Sequence, residues 1–179
     1  MACNISHGRV EECKEGISGL HAVYFINYTT ASFTLDADDV VTGFPTPVLT
    51  AYKYELKGAN GFNTTVNTSR DNGTTFFAQE VTIQLKKLDP IMQKELKLLA
   101  YGRPQIIAHT RSGDAFLVGK DGGADMTAGS VNSGIQYGDF NGYQMTFVAN
   151  EKLPPLFLDG ATIEDPFAGI ANAPTVVGV

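Results

Sequence analysis

Three histidines and two cysteines are all that this 179-residue chain offers for nucleophilic catalysis or for soft metal binding. A serine or cysteine nucleophile needs an adjacent base, so any such pair would have to use His7, His21 or His109. His7 and His21 fall in or near an N-terminal arm, and His109 lies in Gln105-Ile106-Ile107-Ala108-His109-Thr110, where it reads as an ordinary strand residue. Cys3, Cys13, His7 and His21 could be drawn as a four-ligand site, but the short C-x-x-C spacing of a structural zinc site is absent, and two reduced thiols are the simpler reading. Asp36, Asp38 and Asp39 crowd one loop and invite a Ca²⁺ reading, yet the D-x-[DN]-x-[DN]-G…E pattern is not met, which leaves a solvated acidic loop. Paired acids such as Asp36 and Asp38 become an acid–base dyad only when burial separates their affinities for protons. The chain has no G-x-S-x-G elbow, no H-E-x-x-H, no phosphate-binding G-x-x-x-x-G-K-[ST] and no G-x-G-x-x-G between a strand and a helix. The expectation is a protein that is not an enzyme, with no cofactor and no metal.

Composition narrows the class further. With 43% hydrophobic and 18% charged residues the chain has the make-up of a soluble globular domain, and its 19 glycines suit a turn-rich β protein. A net charge of −6 argues against a surface built to grip nucleic acid by its phosphates. No stretch approaches the roughly 20 apolar residues of a membrane span, and Met1 to Arg9 lacks the apolar core of a signal peptide, so synthesis in the cytoplasm is expected. On that reading the five Asn-X-Ser/Thr sequons, at Asn4, Asn27, Asn63, Asn67 and Asn72, are products of an Asn/Thr-rich composition rather than glycan sites.

One stretch organises the rest. Asp89 is a good N-cap, Pro90 suits the first helical position, and Leu88, Met92, Leu96 and Leu99 fall on one stripe, predicting a helix over about 89–101. Gly102 is placed to close it in a left-handed conformation, with Pro104 preventing continuation. Nearly everything else reads as strands: His21–Tyr28 with a return at Ser32–Leu35, Leu49–Lys57 paired with Thr74–Leu85, a hairpin of Gln105–Thr110 with Ala115–Gly119 around Arg111-Ser112-Gly113-Asp114, and Tyr143–Ala149. Phe77, Val81, Ile83 and Leu85 share one face of their strand, while Glu80, Thr82 and Gln84 share the other, so that strand has a wet side. Lys120–Gly134 reads as a glycine-rich loop. Pro154-Pro155 ends the regular domain, with Leu156-Phe157-Leu158 a short edge strand.

These elements predict a mainly β fold, an antiparallel sandwich or barrel with one flanking helix. It divides into an N-terminal arm (1–19), a single domain (20–158) and an extended C-terminal tail (159–179) that orders only against a partner. Between the strands ending at Lys57 and starting at Thr74 lies a loop over 58–73, too long for a tight hairpin. It holds Phe62 and Val66 with little nearby to bury them, either to tuck back onto the parent sheet or to reach a neighbouring molecule. Asn60, Gly61, Phe62, Asn63 and Val66 are therefore the candidate inter-subunit residues. A β body with arms and free strand edges suits self-assembly, since an exposed edge is a template for another chain's strand.

In this order of elements the chain resembles the tail tube proteins of long-tailed bacteriophages, which share a fold with the tube proteins of type VI secretion. Val23–Leu35 looks like their early hairpin, Leu49–Leu85 like their long-loop pair, Asp89–Tyr101 like their flanking helix, and Ile106–Val118 with Gly138–Phe147 like their closing strands. The tail from Asp159 departs from the simplest members. The resemblance implies a structural virion protein, a homo-oligomer of stacked, hexameric rings that contacts other phage tail proteins. DNA would pass through its lumen without sequence-specific binding, and it would be assembled in the host cytoplasm without a membrane. Within that reading, the length of 58–73 and its stranded Phe62 make this loop the expected ring-to-ring contact. Another phage ring or accessory component (tail hub, head–tail connector, capsid decoration) is the alternative. A ligand- or glycan-binding β-sandwich using the loops at 36–39 and 121–125 is the alternative of a different class.

Overall fold

A computed structural model describes residues 8–10, 14 and 16–178. In chain order its elements are β1 (Leu20–Ile26), β2 (Thr34–Leu35), β3 (Val41–Gly43), β4 (Thr50–Glu55), β5 (Gly61–Ser69), β6 (Thr74–Lys86), α1 (Pro90–Tyr101), β7 (Gln105–Thr110), β8 (Ala115–Val118), β9 (Asp125–Asn132), β10 (Gly142–Glu151), β11 (Leu156–Phe157) and β12 (Thr175–Val177). They form a six-stranded sheet in the order β11-β8-β7-β1-β4-β12, a four-stranded sheet in the order β5-β6-β10-β9, and the small pair β2-β3. The fold is mainly β and sandwich-like, with α1 as the single helix among the described residues.

Burial explains the layering. Leu20-His21-Ala22-Val23-Tyr24-Phe25-Ile26 is apolar almost throughout, and only a strand covered on both faces can bury such a run. One face of the six-stranded sheet, with Val23, Phe25, Ile106 and Val118, meets Val81, Ile83, Tyr143, Met145 and Phe147 of the four-stranded sheet. Its other face, with Ala22, Tyr24, Ile26, Ile107 and Leu117, is covered by Phe33, Val41 and Phe44 and by the C-terminal residues Leu158, Phe167 and Ile170.

The helix forms as its sequence predicts. Asp89 Oδ2 accepts from the Met92 N–H at 3.2 Å, and Tyr143 of β10 pins the same residue, its hydroxyl donating to Asp89 O at 3.0 Å. Met92, Leu96 and Leu99 pack against the core without being fully buried. Gly102 does not become left-handed: it is extended (φ −87°, ψ 174°), and its N–H closes the helix on Leu98 O at 2.9 Å.

Four further expectations change. First, Ser32–Leu35 is not the hairpin partner of β1, which pairs with β4 and β7. Thr34–Leu35 pairs instead with Val41–Gly43, around a turn in which Asp36 Oδ1 accepts from the N–H groups of Asp38 and Val40. Second, Leu49–Lys57 and Thr74–Leu85 do not pair, because β4 and β6 lie in different sheets. The partner of β6 is β5, so most of the expected loop 58–73 is a strand, in register from Gly61↔Thr82 to Ser69↔Thr74. Its many Thr residues and Val66 are β-formers, and Arg70-Asp71-Asn72-Gly73 is the turn. Third, Lys120–Gly134 contains strand β9, paired with β10. Fourth, the residues after Asp159 are not a free tail. Phe167 and Ile170 are buried, Ala171 donates to Thr42 O and accepts from the Phe44 N–H on either side of Gly43, and β12 lies parallel on β4. The carboxylate of Asp165 accepts from the Phe167 N–H at 2.9 Å and sets that aromatic into the core.

Candidate assembly interface

The four-stranded sheet has one dry face and one wet face. Val81, Ile83, Tyr143, Met145 and Phe147 point into the core, so by alternation the other face presents Asn63, Glu80, Thr82, Gln84, Gln144 and Thr146. Glu80 is the charge in its middle, with Asp125 on the same row across Val148 and Lys86 on the row at one end.

Both edges of this sheet are long and unpaired among the described residues. β5 has nine residues and no charge, and β9 has eight residues and a single charge, Asp125. Neither contains lysine or proline, the usual guards against strand addition. The six-stranded sheet is different. Its edges are two-residue β11, which follows Pro154-Pro155, and three-residue β12, which follows Pro174. The contrast leaves β5 and β9 as the places where another chain's strand could add.

Three buried groups hold the β9 edge in place. Glu151 Oε1 accepts from the N–H groups of Asp121 (3.0 Å) and Gly122 (2.9 Å). Gln79 accepts from the Gly119 N–H and donates to Leu153 O, and Gln105 Nε2 donates to the carbonyls of Thr29 and Lys120. Gly123 turns this segment at φ 75°, where a Cβ would lie 2.5 Å from Arg103 O. The expected ligand loop at 121–125 is thus the fixed approach to an edge strand.

At one end of the sheet the β5–β6 hairpin outruns its neighbours. β10 pairs with β6 only as far as Phe77, so Asn67–Phe76 stands beyond the third strand. Thr68 and Thr75 join hydroxyls across it at 3.0 Å, and Val66 and Phe76 are exposed near its base. Of the candidate inter-subunit residues, Asn60 and Phe62 are engaged within the chain. Asn60 is buried and its Oδ1 accepts from the Gln84 N–H, and Phe62 is half-buried with its ring 5.4 Å from that of Phe116. Gly61, Asn63 and Val66 remain at the surface. The apolar face of the hairpin was visible in the alternation Phe62, Thr64, Val66, but its length made it read as a loop.

Of the residues that could do chemistry, His21 and His109 lie together, their ring centroids 5.5 Å apart. His109 is fully buried, with Nε2 2.8 Å from Thr162 O, so Nε2 carries the proton and donates it to that carbonyl. Burial pushes its pKa down, with His21 beside it acting in the same direction. Asp36 is occupied by its own turn. Cys3, Cys13 and His7 lie outside the described residues, and among the described residues no three His, Cys, Asp or Glu side chains gather as metal ligands would. A cleft of about 280 Å³ between Tyr28–Phe33 and Lys120–Asp121 is small for a ligand site. No helix among the described residues is long and apolar enough to cross a membrane. Set against models of protein families, curated proteins and solved structures, the chain matches none.

Proposed function

We propose that this chain is a structural subunit of a bacteriophage tail tube, closing into rings that stack around a DNA channel. The observation that carries the reading is the four-stranded sheet with two long, unguarded edges, one core face and one polar face. Pairing β5 of one copy with β9 of the next is a head-to-tail contact, and such contacts close into rings when their rotation permits. The polar face then lines the lumen. Six copies bring 6 × 4 strands, roughly 24, which at a strand spacing of about 4.8 Å gives a barrel some 40 Å across at the backbone. Four copies would have roughly the strand number of a porin, whose channel is far narrower. A lining with Glu80 at its centre and no cluster of Lys or Arg suits passage of DNA, because positive charge would retain the phosphates.

In such a ring the strand ends face the neighbouring rings, and the protruding hairpin is the natural ring-to-ring contact. Removing all of 58–73 would delete an edge strand, so the informative change is shorter. Replacing Thr68–Thr75 by Asn-Gly keeps Asn67 opposite Phe76 and closes a two-residue hairpin. Negative-stain electron microscopy of the purified protein over a range of concentrations tests the reading. Rings or hollow tubes of uniform width are expected from the natural chain, and single rings from the shortened one. Monomers at every concentration would reject the tube, and tubes from the shortened hairpin would reject its role in stacking.

A further inference from the structure

No residue of α1 is fully buried, and its outer side is as apolar as its inner one. Met92, Leu96 and Leu99 pack against the core, while Ile91 (69% exposed), Leu98 (54%) and Tyr101 (81%) stand on the outer side with Lys94 among them. A helix that is apolar on both sides has a second surface to bury. Its position is fixed at both ends. Tyr143, on the row of Val131 in β9, holds Asp89 at the start of the helix, and the Ala124 N–H, just before β9, donates to Pro104 O at 2.8 Å beyond its end. The helix therefore runs along β9, on the core side of that sheet edge.

The opposite edge carries a ladder of aromatic rings. Phe62 of β5 lies 5.4 Å from Phe116 of β8, and Phe116 lies 4.4 Å from Phe157 of β11, the outermost strand of its sheet. Phe157 is 48% exposed. The ladder sits on the core side of the β5 edge, as α1 sits on the core side of the β9 edge. Strand direction makes the two edges compatible. β5, β6, β10 and β9 are antiparallel neighbours throughout, so β5 and β9 run in opposite directions within one sheet. A rotated copy that sets its β9 against β5 continues the antiparallel pattern and keeps dry face beside dry face. Its helix then arrives on the core side, next to the ladder.

We infer that the Ile91, Leu98 and Tyr101 side of α1 packs on the Phe62–Phe116–Phe157 ladder of the next copy in the ring. The inference rests on the tube reading and names the apolar contact behind its strand seam. The seam needs one, because two strands paired by their backbones are marginal in water, and β5 and β9 are written mostly in Thr, Asn, Ser and Gly. The occupant is a second copy because a single rotation that joins β9 to β5 also brings helix to ladder, with no further fitting of either surface. The contact is head-to-tail: each copy gives its helix to one neighbour and receives a helix from the other.

Complementation between two damaged chains tests which surfaces meet. One chain carries Ile91→Asp with Leu98→Asp, and the other carries Phe157→Asp. Both are checked for folding by circular dichroism, and Val66→Asp, on the core side of the same β5 edge, replaces Phe157→Asp if that variant does not fold. Each variant alone should remain monomeric at tenfold the concentration at which the natural chain forms rings in negative stain. Mixed, the two retain one intact helix–ladder pair between them, so native mass spectrometry should show a dimer of one chain of each kind and nothing larger. Rings from either variant, alongside rings from the natural chain, overturn the inference and leave the tube standing, with the helix side free for a different protein. Monomeric variants that give no mixed dimer also overturn it. If the natural chain forms only small oligomers, which both variants abolish and the mixture restores as the dimer, the contact holds and the tube reading falls. A natural chain that is monomeric at every concentration removes both.

Discussion

Phe167→Ala is the sharpest test of whether the C-terminal segment belongs to the body. Phe167 is 5% exposed and packs edge-to-face on Tyr24 (centroids 5.3 Å apart) and Phe44 (5.8 Å). Truncating a buried phenylalanine costs about 3–5 kcal/mol through lost transfer energy and the cavity left behind, with aromatic pairs adding about 0.5–1.5 kcal/mol each. The segment around it is held by the Ala171 bonds to Thr42 and Phe44 and by the short β12, so it can relax in part, and the lower end, about 3 kcal/mol, is expected. For a chain of this size that corresponds to a fall in Tm of roughly 6–12 °C. Urea unfolding followed by far-ultraviolet circular dichroism measures it, with an unchanged m-value showing that compactness is preserved. A loss under about 0.5 kcal/mol would mean that Phe167 is not buried in solution and that residues 159–178 are the free tail their composition predicts.

Three further outcomes follow from the same geometry. Glu151→Ala removes the acceptor for two backbone N–H groups and should cost about 1–3 kcal/mol, with the Asp121 and Gly122 amides exchanging hydrogen much faster in a site-resolved exchange experiment. For His109, burial lowers the folded-state pKa below the unfolded value near 6.5, so the unfolded chain binds the proton more readily. Its contribution is intact above about pH 6.5 and is lost as the pH falls from there through the lowered folded value; His109→Gln should flatten that part of the urea midpoint against pH, and an unchanged slope would refute the assignment. Finally, Thr82→Lys with Gln144→Lys puts positive charge on the polar face of the sheet. Assembled tubes of this variant should retain duplex DNA in low salt and release it as salt rises, while the natural tubes retain none; equal behaviour would place that face away from the lumen.

The helix and the half-buried strands were legible because their signals are local. Asp89-Pro90 and the Met92, Leu96, Leu99 stripe need only the helix itself, and the alternation through Val81, Ile83 and Leu85 needs only the strand. The hairpin of β7 and β8 was equally plain from Arg111-Ser112-Gly113-Asp114. β5 and β9 were not, although each borders a strand that was. Edge strands have one partner and much solvent, so Gly61–Ser69 and Asp125–Asn132 are written in Thr, Asn, Ser and Gly, the vocabulary of loops. Asn72-Gly73 was the available hairpin signal, and the run of β-branched residues before it the available strand signal.

By itself, then, the chain determines a mainly β protein with one helix, a wet strand face and no motif of catalysis, since composition, period and capping are properties of neighbouring residues. The tertiary structure decides the rest. It assigns β4 and β6 to different sheets, buries Asn60 and Phe62, and uses Phe167 and Ile170 to cover the second face of the six-stranded sheet. These outcomes depend on which apolar surface is still uncovered once the central strand is formed. β1 is apolar on both faces, so a second layer had to be found, and the sequence-distant, glycine- and proline-rich C-terminal segment supplies it. No local pattern in that segment reports the demand, because the demand arises about 140 residues away.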